Sequence, residues 1–233
     1  MTFQDRTVMI TGAAGHLGRA VAAHFAAAGA RLVLVDRQAE LLEAAFGTGS
    51  KHDLVATDLL DATQLSPALA QAIERCGQID VLCHLAGGFR MGEAVHETTD
   101  QTWDLMFDLN ARTLVNMARG IVPHMIARGG GKIVNVAAFA ALKGAAHMGP
   151  YSASKSTVIR LTEAMSAELR EHRINVNCVL PTIIDTPENR AAMPDADPTR
   201  WVAPAALAEV IAFLASDAAW AVHGAALPVT GLV

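Results

Sequence analysis

The N-terminal segment contains the pattern that most restricts how this chain can fold. Residues 7–10 form a short run of β-branched and apolar residues, and three glycines follow at Gly12, Gly15 and Gly18. An amphipathic segment then extends to about Ala28. A strand, a glycine turn and a helix in this order are typical of a βαβ unit, in which the helix carries the chain to the next parallel strand.

The alternation of strand and helix continues to the end of the chain. Further strand patterns lie at residues 31–35, 53–57, 81–86, 132–137, 175–180 and 226–229. Helical patterns lie between them, the clearest at residues 101–128, 151–172 and 204–215. Unbroken apolar strands of this kind are buried on both faces. The sequence therefore predicts an α/β protein: a single Rossmann domain over residues 1–233, with a doubly wound, seven-stranded parallel sheet and helices on both faces.

The composition argues against several other classes. Hydrophobic residues make up 52% of the chain and charged residues 18%, which fits a buried α/β core rather than a disordered protein. The net charge of −5, without a cluster of Lys or Arg, argues against a nucleic-acid partner. No apolar run reaches the roughly 18 residues that span a membrane, and the chain enters its first strand without room for a signal peptide. We therefore expect a cytoplasmic protein without a membrane segment.

The cysteines indicate neither a disulfide framework nor a metal site. Cys76, Cys83 and Cys178 are odd in number and widely spaced, so zinc-ligand spacing is lacking and no metal is expected. We interpret them as small buried hydrophobic residues in a reducing compartment.

The glycine turn has the properties of a dinucleotide-binding loop. Gly12 permits a tight turn, Gly15 lets the backbone approach a pyrophosphate, and Gly18 lets the helix pack close to the strand. His16 and Leu17 begin the helix whose N-terminal amides would face the phosphates.

Acidic residues follow the next two strands. Asp36 lies some 20 residues beyond the glycines, where a carboxylate binds the adenosine ribose hydroxyls and repels a 2′-phosphate. This position favours NAD(H) over NADP, although the guanidinium of Arg37 pairs well with phosphate. Asp58 and Leu59 follow the third strand, close to the expected adenine position. Capping of the next helix, which Asp61 also precedes, is the alternative role for Asp58.

The only tyrosine, Tyr151, precedes Lys155 by four residues at the start of a predicted helix. This spacing places the phenol and the ammonium on one helix face, about one turn apart. A nearby ammonium favours the phenolate and lowers the phenol pKa from about 10 toward the range of general acid–base catalysis. We predict a catalytic pair here; an ordinary amphipathic first turn is the alternative.

The least regular segment, about residues 182–203, follows a strand end and contains Pro187, Pro194 and Pro198. Because loops this long are usually functional, we predict a lid over the cofactor that substrate orders. A passive connection is the alternative.

Together, the glycine turn, Asp36 and the Tyr151/Lys155 pair resemble the short-chain dehydrogenase/reductase family over nearly the whole chain. The resemblance implies an NAD(P)-dependent oxidoreductase in which Tyr151 exchanges a proton with the substrate oxygen, while Lys155 lowers its pKa and binds the nicotinamide ribose. It implies that Asn110 holds a water of the proton relay. The other positions expected at the cofactor are Asp58, Ala86, Gly87, Pro181, the backbone of Ile184 and the hydroxyl of Thr186.

The same resemblance implies a small-molecule substrate and a homodimer or homotetramer. The helices at residues 101–128 and 151–172 correspond to those that pair subunits in this family.

Three positions depart from the family pattern. His16 stands at the usual middle glycine, residues 84–87 read His-Leu-Ala-Gly instead of Asn-Asn-Ala-Gly, and Ala138 stands where the catalytic serine is expected. That serine hydrogen-bonds the developing alkoxide, and loss of such a donor costs roughly 10²–10³ in rate. Neither Ser152 nor Ser154 is expected to replace it, since the helix directs both elsewhere.

These departures, the turn at residues 83–89 and the lid sequence resemble the dihydropteridine reductase branch of the family. This interpretation predicts an electron-poor quinonoid dihydropterin as substrate, for which a hydroxyl donor matters less. An ordinary ketone or alcohol, including a 3-oxoacyl compound, is the alternative substrate. A non-catalytic NAD-binding sensor is the alternative from another class.

Four positions are predicted at the substrate side: Ala138, His147, Phe89 and Trp201. Phe89 and Trp201 can stack on a flat substrate, and core or subunit packing is the equal alternative. His84 is expected either at the nicotinamide end or as an ordinary packed histidine.

Overall fold

The computed structural model describes every residue from 1 to 233. Seven strands, all paired in parallel, form one sheet in the order β3-β2-β1-β4-β5-β6-β7. The strands are β1 Thr7–Thr11, β2 Arg31–Asp36, β3 Asp53–Ala56, β4 Val81–His84, β5 Gly131–Val136, β6 Ile174–Pro181 and β7 Ala226–Val229. The predicted doubly wound α/β sheet is confirmed.

Six of the eight α-helices pack on the two faces of the sheet, α1, α2 and α8 on one face and α3, α5 and α6 on the other. The eight are α1 His16–Ala27, α2 Ala39–Phe46, α3 Ala62–Cys76, α4 Asp100–Phe107, α5 Thr113–Arg128, α6 Gly149–Leu169, α7 Pro187–Ala192 and α8 Pro204–Ala215. None of them is both long enough and apolar enough to cross a membrane.

Successive residues of a strand point to opposite faces of the sheet, so the sheet supports two cores. In β1, Val8 and Ile10 belong to the core that contains Phe25 of α1 and Ile211 of α8. Met9, between them, belongs to the opposite core. Burial on both faces explains why the strand sequences are almost continuously apolar. All three cysteines are free and buried, as predicted.

The winding direction of the sheet reverses at β1. This strand pairs with β2 on one side and with β4 on the other, where Val8 is opposite Val81. The connections that leave the carboxyl ends of β1 and β4 therefore diverge, and a crevice opens between them.

Several elements differ from the sequence prediction. Helix α2 is not predicted, because its eight residues are too few to show a clear period. The helix predicted at residues 101–128 is divided by a π-helical turn, Asp108–Arg112. Helix α6 begins at Gly149 and ends at Leu169, before a short 3₁₀ turn. The predicted lid contains α7 and a 3₁₀ turn at Pro198–Arg200.

Candidate active site

A groove of about 740 Å³ opens at the carboxyl ends of the strands, beside the crevice between β1 and β4. Its wall contains most residues that the sequence predicts at a dinucleotide: Gly12, Gly15, His16, Leu17, Gly18, Asp36, Arg37, Asp58, Leu59, Ala86, Gly87 and Thr186. The wall also contains Leu41, Leu60, Leu105 and Leu109. Sequence reasoning missed these leucines, because an isolated leucine carries no signal that distinguishes a groove from a core.

The glycine turn forms a close cradle at one end of the groove. Gly12 has a φ of +64°, which is costly for residues with a side chain. A Cβ on Gly18 would lie 2.2 Å from the carbonyl oxygen of Gly12, so only glycine lets α1 pack here. Gly15 precedes α1, and no side chain caps the helix N-terminus. The first-turn amides are thus available to a phosphate, and the cradle fits the pyrophosphate of a dinucleotide.

The carboxylate of Asp36 is held in place by two backbone amides. Its Oδ2 accepts a hydrogen bond from the amide of Ala14 at 3.0 Å, and its Oδ1 accepts one from the amide of Arg37 at 2.8 Å. The carboxylate is only half-buried and lines the groove. It is therefore a fixed negative charge beside the glycine turn, where the adenosine ribose is expected.

The structure separates the two roles considered for Asp58. Asp61 is the residue that caps α3, because its side chain accepts from the amide of Thr63 at 2.9 Å. Asp58 lines the groove, and its Oδ1 accepts from the amide of Leu60 at 2.9 Å. Its predicted contact with adenine stays a prediction.

Two of the three predicted catalytic residues, Lys155 and Asn110, lie beside Gly87 and Gly88, and the ring of the third, Tyr151, contacts Phe89, the next residue. The Nζ of Lys155 donates to the carbonyl oxygen of Val136 at 2.9 Å and lies 3.0 Å from where a Cβ on Gly87 would be. Asn110, in the π-helical turn, accepts from the amide of Gly88 at 2.9 Å and donates to its carbonyl oxygen at 3.1 Å.

Asn110 is also connected to the helix that carries Tyr151. Its Nδ2 donates to the hydroxyl of Ser154 at 3.0 Å, and that hydroxyl donates to the carbonyl oxygen of Tyr151 at 2.8 Å. Ser154 therefore has a positioning role in α6, as expected for a serine directed away from the substrate side.

Burial determines the protonation of the catalytic pair. It raises the pKa of Tyr151 to about 12 and lowers the pKa of Lys155 to about 8. The expectation that Lys155 lowers the phenol pKa is therefore wrong for the protein groups alone. The physical reason is that removal from water disfavours both charged forms, and the Nζ of Lys155 is bonded to the carbonyl of Val136.

His84 lies beneath this cluster and is 3% exposed. The hydroxyl oxygen of Thr11 accepts from the amides of Leu85 and Ala86 at 3.1 and 3.2 Å. Two donors occupy its lone pairs, so its proton is directed to the Nδ1 of His84, 3.0 Å away. Burial, and then the charge of Lys155, lower the pKa of His84 to about 3. The imidazole is therefore neutral, with its proton on Nε2.

The other side of the imidazole reaches the π-helical turn. The Nε2 of His84 is 3.3 Å from the hydroxyl of Thr113, which donates to the carbonyl oxygen of Leu109 at 2.8 Å. The imidazole thus connects the loop after β4 to the residue before Asn110. Of the two roles expected for His84, the structure favours that of a packed histidine. Its hydrogen bonds also support the loop after β4 and the π-helical turn that contains Asn110.

The sequence over residues 6–197 matches the short chain dehydrogenase family. The chain belongs to this family. It is 31% identical to the 3-oxoacyl-[acyl-carrier-protein] reductase of Thermotoga maritima over 243 residues, covering 99% of this chain and 98% of the relative. It is 32% identical to the 2-(R)-hydroxypropyl-CoM dehydrogenase of Xanthobacter autotrophicus over 244 residues, covering 97% of this chain and 98% of the relative.

A solved structure agrees with these relatives. The 3-ketoacyl-(acyl-carrier-protein) reductase of Brucella melitensis, complexed with NADH, superposes with a TM-score of 0.89 at 28% identity and covers 98% of each chain. This short-chain dehydrogenase is therefore an NAD(P)-dependent oxidoreductase with the family fold.

In this short-chain dehydrogenase, an alanine stands where the family pattern has the catalytic serine, so a methyl group replaces the hydroxyl. Ala138 is buried at the end of β5, with an extended backbone. The nearby helix does not replace the hydroxyl: Ser154 is bonded to Asn110, and the hydroxyl of Ser152 is buried without a partner. Among the residues predicted at the catalytic and substrate positions, Tyr151 is therefore the one that carries a hydroxyl.

The substrate side of this dehydrogenase is largely apolar. Phe89 is 58% exposed, and its ring meets the ring of Tyr151 edge to face with centroids 4.8 Å apart. Met91, Phe139 and Leu142 are also exposed large hydrophobic residues on the loops after β4 and β5. Because monomeric surfaces seldom gather such residues, this set indicates a binding surface for an apolar molecule.

The other predicted substrate residues differ in exposure. His147 is exposed and has a φ of +62°, and its carbonyl oxygen accepts from the amide of Gly92 at 2.9 Å. Trp201 is 7% exposed, which favours the packing alternative over stacking on a substrate.

The predicted lid is held by its own hydrogen bonds. The hydroxyl of Thr186 accepts from the amide of Asn189 at 3.3 Å, and the side chain of Asn189 donates to the carbonyl oxygen of Ile184 at 2.8 Å. Thr186 lines the groove, whereas Pro181 is buried at the end of β6 and Ile184 packs against the core.

One side-chain contact joins the lid to the glycine turn. The Nε2 of His16 lies 3.0 Å from Glu188 of α7. Helix α7 is therefore placed over the end of the groove that fits the pyrophosphate.

Proposed function

We propose that this short-chain dehydrogenase is an NAD(H)-dependent enzyme that interconverts a ketone and a secondary alcohol. The observation that carries the proposal is the junction at Gly87. There Lys155 and Asn110 lie against the wall of the groove that fits a dinucleotide, and the ring of Tyr151 contacts Phe89 close by. The names of the relatives, a 3-oxoacyl reductase and a hydroxypropyl dehydrogenase, support this substrate class.

The residues of the cluster divide the proton chemistry between them. A bound nicotinamide supplies or accepts the hydride. With its pKa raised to about 12, Tyr151 keeps its proton at neutral pH and donates it to a carbonyl oxygen. Lys155, with its pKa lowered to about 8 and its place one helical turn from Tyr151, is the group that we expect to return a proton to the phenol. Asn110 bonds to Gly88 and to Ser154, and so it holds the loop after β4 against the helix that carries Tyr151.

The preference for NAD(H) over NADP is supported by the fixed carboxylate of Asp36. A 2′-phosphate would meet this charge, which two backbone amides prevent from turning away. Arg37 is exposed and contributes the opposite charge on the same segment. We infer that Asp36 dominates, because its position in the groove is the more rigid.

The test is a kinetic comparison of the wild type with Tyr151→Phe. Ketone reduction by NADH should fall by about 10²–10⁴-fold in kcat, while NADH affinity, measured by fluorescence titration, stays unchanged. Reduction with NADPH, measured in parallel, should be slower than with NADH. If Tyr151→Phe retains full activity, the proposed role of Tyr151 fails. If the wild type binds NADH and turns over no carbonyl compound, the proposed enzymatic function fails and a non-catalytic sensor is favoured.

A quinonoid dihydropterin is the second candidate substrate, and the methyl group at Ala138 is the observation that favours it. Hydride addition to such a ring develops charge that ring nitrogens delocalise, so a hydroxyl donor is less important. The exposed ring of Phe89 offers a face for a flat substrate. Freshly generated quinonoid dihydropterin, assayed beside a panel of ketones, distinguishes the candidates by which substrate is turned over faster.

We further propose that the chain acts in the cytoplasm as a homodimer or homotetramer, paired through α4, α5 and α6. Trp103 of α4 is 46% exposed and stacks on Phe107, with ring centroids 4.5 Å apart. An exposed tryptophan, stacked on a partly buried phenylalanine of a helix that pairs subunits in the family, supports this surface. Light scattering coupled to size-exclusion chromatography measures the assembly directly.

A further inference from the structure

A second cavity lies at the amino ends of the strands, whereas the dinucleotide groove lies at their carboxyl ends. Its volume is about 560 Å³, and its wall includes the start of β5, the start of β6 and the turn that precedes β6. Lys132 and Asn175 come from these strand starts, and Trp220 stands at its rim, 73% exposed. We call this cavity the basic cleft.

The basic cleft carries excess positive charge in a chain whose net charge is −5. Five cationic side chains and two carboxylates face it: Arg6, Arg128, Lys132, Arg170, Arg173, Asp80 and Asp217. His223 is the remaining titratable group on its wall. An excess of cations around one cavity attracts anions, because low-dielectric walls focus the field within it.

Some of these charges are already partnered. Arg6 pairs with Asp217 at 3.1 Å. Asp80 accepts from the amide of Thr7 at 2.7 Å and from the side chain of Gln78 at 2.9 Å. Arg128 also bonds to Gln78. These contacts leave the cations of β5 and of the turn before β6 without a carboxylate.

Three cations remain without a direct ion pair. Arg170 and Arg173 make no side-chain hydrogen bond and no ion pair, although both face the basic cleft. Lys132 is 9% exposed, and its Nζ has one acceptor, the side-chain oxygen of Asn175 at 2.7 Å. An ammonium has three N–H donors, and a buried charge is costly unless it is paired and hydrogen-bonded. Burial lowers the pKa of Lys132, and the opposing effect of the Asp217 carboxylate, which raises it, is smaller.

We propose that the basic cleft binds a small phosphate ester, with Lys132, Arg170 and Arg173 as the groups that hold its phosphate. Three cations without a direct ion pair match the two negative charges of a phosphate monoester better than they match the single charge of a carboxylate. Guanidinium groups also suit the geometry of phosphate oxygens. The cavity exceeds the size of inorganic phosphate, and the exposed indole of Trp220 offers an apolar face to the organic part of the ester.

This site is distinct from the phosphate cradle at the glycine turn. The cradle lies at the carboxyl ends of the strands, whereas Lys132 and Asn175 lie at the amino ends of β5 and β6. No residue lines both cavities. The proposal is therefore independent of the redox function, and each can fail without the other.

The experiment is calorimetric titration of the full chain with inorganic phosphate and with phenyl phosphate, at constant ionic strength adjusted with sodium chloride. The double variant Arg170→Ala/Arg173→Ala should bind both at least about tenfold more weakly, since it removes the charge-assisted hydrogen bonds of two guanidinium groups. Lys132→Met should weaken them similarly. Arg119→Ala, which removes an exposed arginine of α5 outside the basic cleft, is the matched control and should bind as the wild type does.

Two results overturn the proposal. The first is unchanged phosphate affinity in the double variant, which would place the anion at the glycine turn. The second is equal loss of affinity in Arg119→Ala, which would show unspecific attraction to surface charge. Because Arg170 and Arg173 are exposed, the double variant should fold even if Lys132→Met does not. Tighter binding of phenyl phosphate than of inorganic phosphate would support the role of Trp220.

Discussion

At the scale of single residues, Ala138 decides how the substrate oxygen is stabilised. The end of β5 presents a methyl group where the family pattern has a hydroxyl, and neither Ser152 nor Ser154 supplies one. The chemistry of the site therefore depends on Tyr151 and on the electronic character of the substrate itself.

The variant Ala138→Ser separates the two substrate classes. With a ketone substrate, the new hydroxyl should raise kcat by about tenfold, a part of the 10²–10³ that such donors provide elsewhere. With a quinonoid dihydropterin, kcat should change little, because the ring delocalises its own charge. Steady-state rates on both substrates give the answer, and Ala137→Ser is the control for a serine placed in the adjacent buried position.

His84 shows how a buried titratable residue makes stability depend on pH. Its pKa is lowered from 6.5 to about 3, so between these values the unfolded chain binds a proton that the folded chain does not. Protonation therefore favours unfolding, and the stability that the neutral imidazole provides is lost as the pH falls below about 6.5.

We expect the free energy of unfolding to fall more steeply from pH 7 to pH 5 in the wild type than in His84→Asn. Urea denaturation at several pH values measures this slope. The asparagine, the usual family residue, cannot titrate but can still donate and accept hydrogen bonds. Equal slopes in the two proteins would contradict the assignment of a buried neutral imidazole.

At the scale of elements, the glycine turn and α1 form a unit whose packing leaves no room for a side chain at Gly18. A methyl group there would approach the carbonyl oxygens of Gly12 and Ala13 to 2.2 and 2.6 Å, so the turn would have to move. The backbone atoms that fit a pyrophosphate would move with it.

The variant Gly18→Ala should therefore lose both stability and cofactor affinity. We expect a loss of about 1–3 kcal/mol in the free energy of unfolding, the usual cost of overpacking, together with weaker NADH binding by fluorescence titration. Gly49→Ala is the control, because a Cβ there meets nothing within 4 Å. Unchanged NADH affinity in Gly18→Ala would argue against the cradle as the pyrophosphate site.

The elements also show which parts of the structure can be predicted from the sequence. The strands are predictable because β-branched apolar runs end in glycine or acidic residues, as at Gly12 and Asp36. The π-helical turn is not, since neither proline nor glycine marks it; it depends on the bonds of Asn110 to Gly88, 22 residues away. The basic cleft is equally hidden, because Lys132 and Asn175 meet only through strand pairing.

The protonation of Tyr151 and Lys155 is likewise only partly predictable from the sequence. The spacing of Tyr151 and Lys155 predicts that they share a helix, and α6 contains both. It does not reveal their burial, which moves both pKa values toward the neutral forms.

At the scale of the whole molecule, the faces of α4, α5 and α6 determine the assembly that we propose. A charge in place of Trp103 would be buried without a partner in such an interface, which is strongly unfavourable. Trp103→Glu should therefore yield a smaller particle in light scattering, with an unchanged circular dichroism spectrum. Gln71→Glu, an exposed substitution on α3, should leave the mass unchanged. If light scattering shows that the wild type is itself a monomer, the proposed interface does not exist and the prediction fails.

The strand order has a consequence for how the chain is made on the ribosome. The interior strand β1 is synthesised before the other six strands, yet its edge at Val8 stays unpaired until Val81 of β4 is made. Until then, the emerging chain presents an open strand edge beside apolar side chains, the kind of surface that associates with other chains. We therefore expect the nascent chain to be most prone to association before β4 is made, and slower elongation before β4 would prolong that exposure.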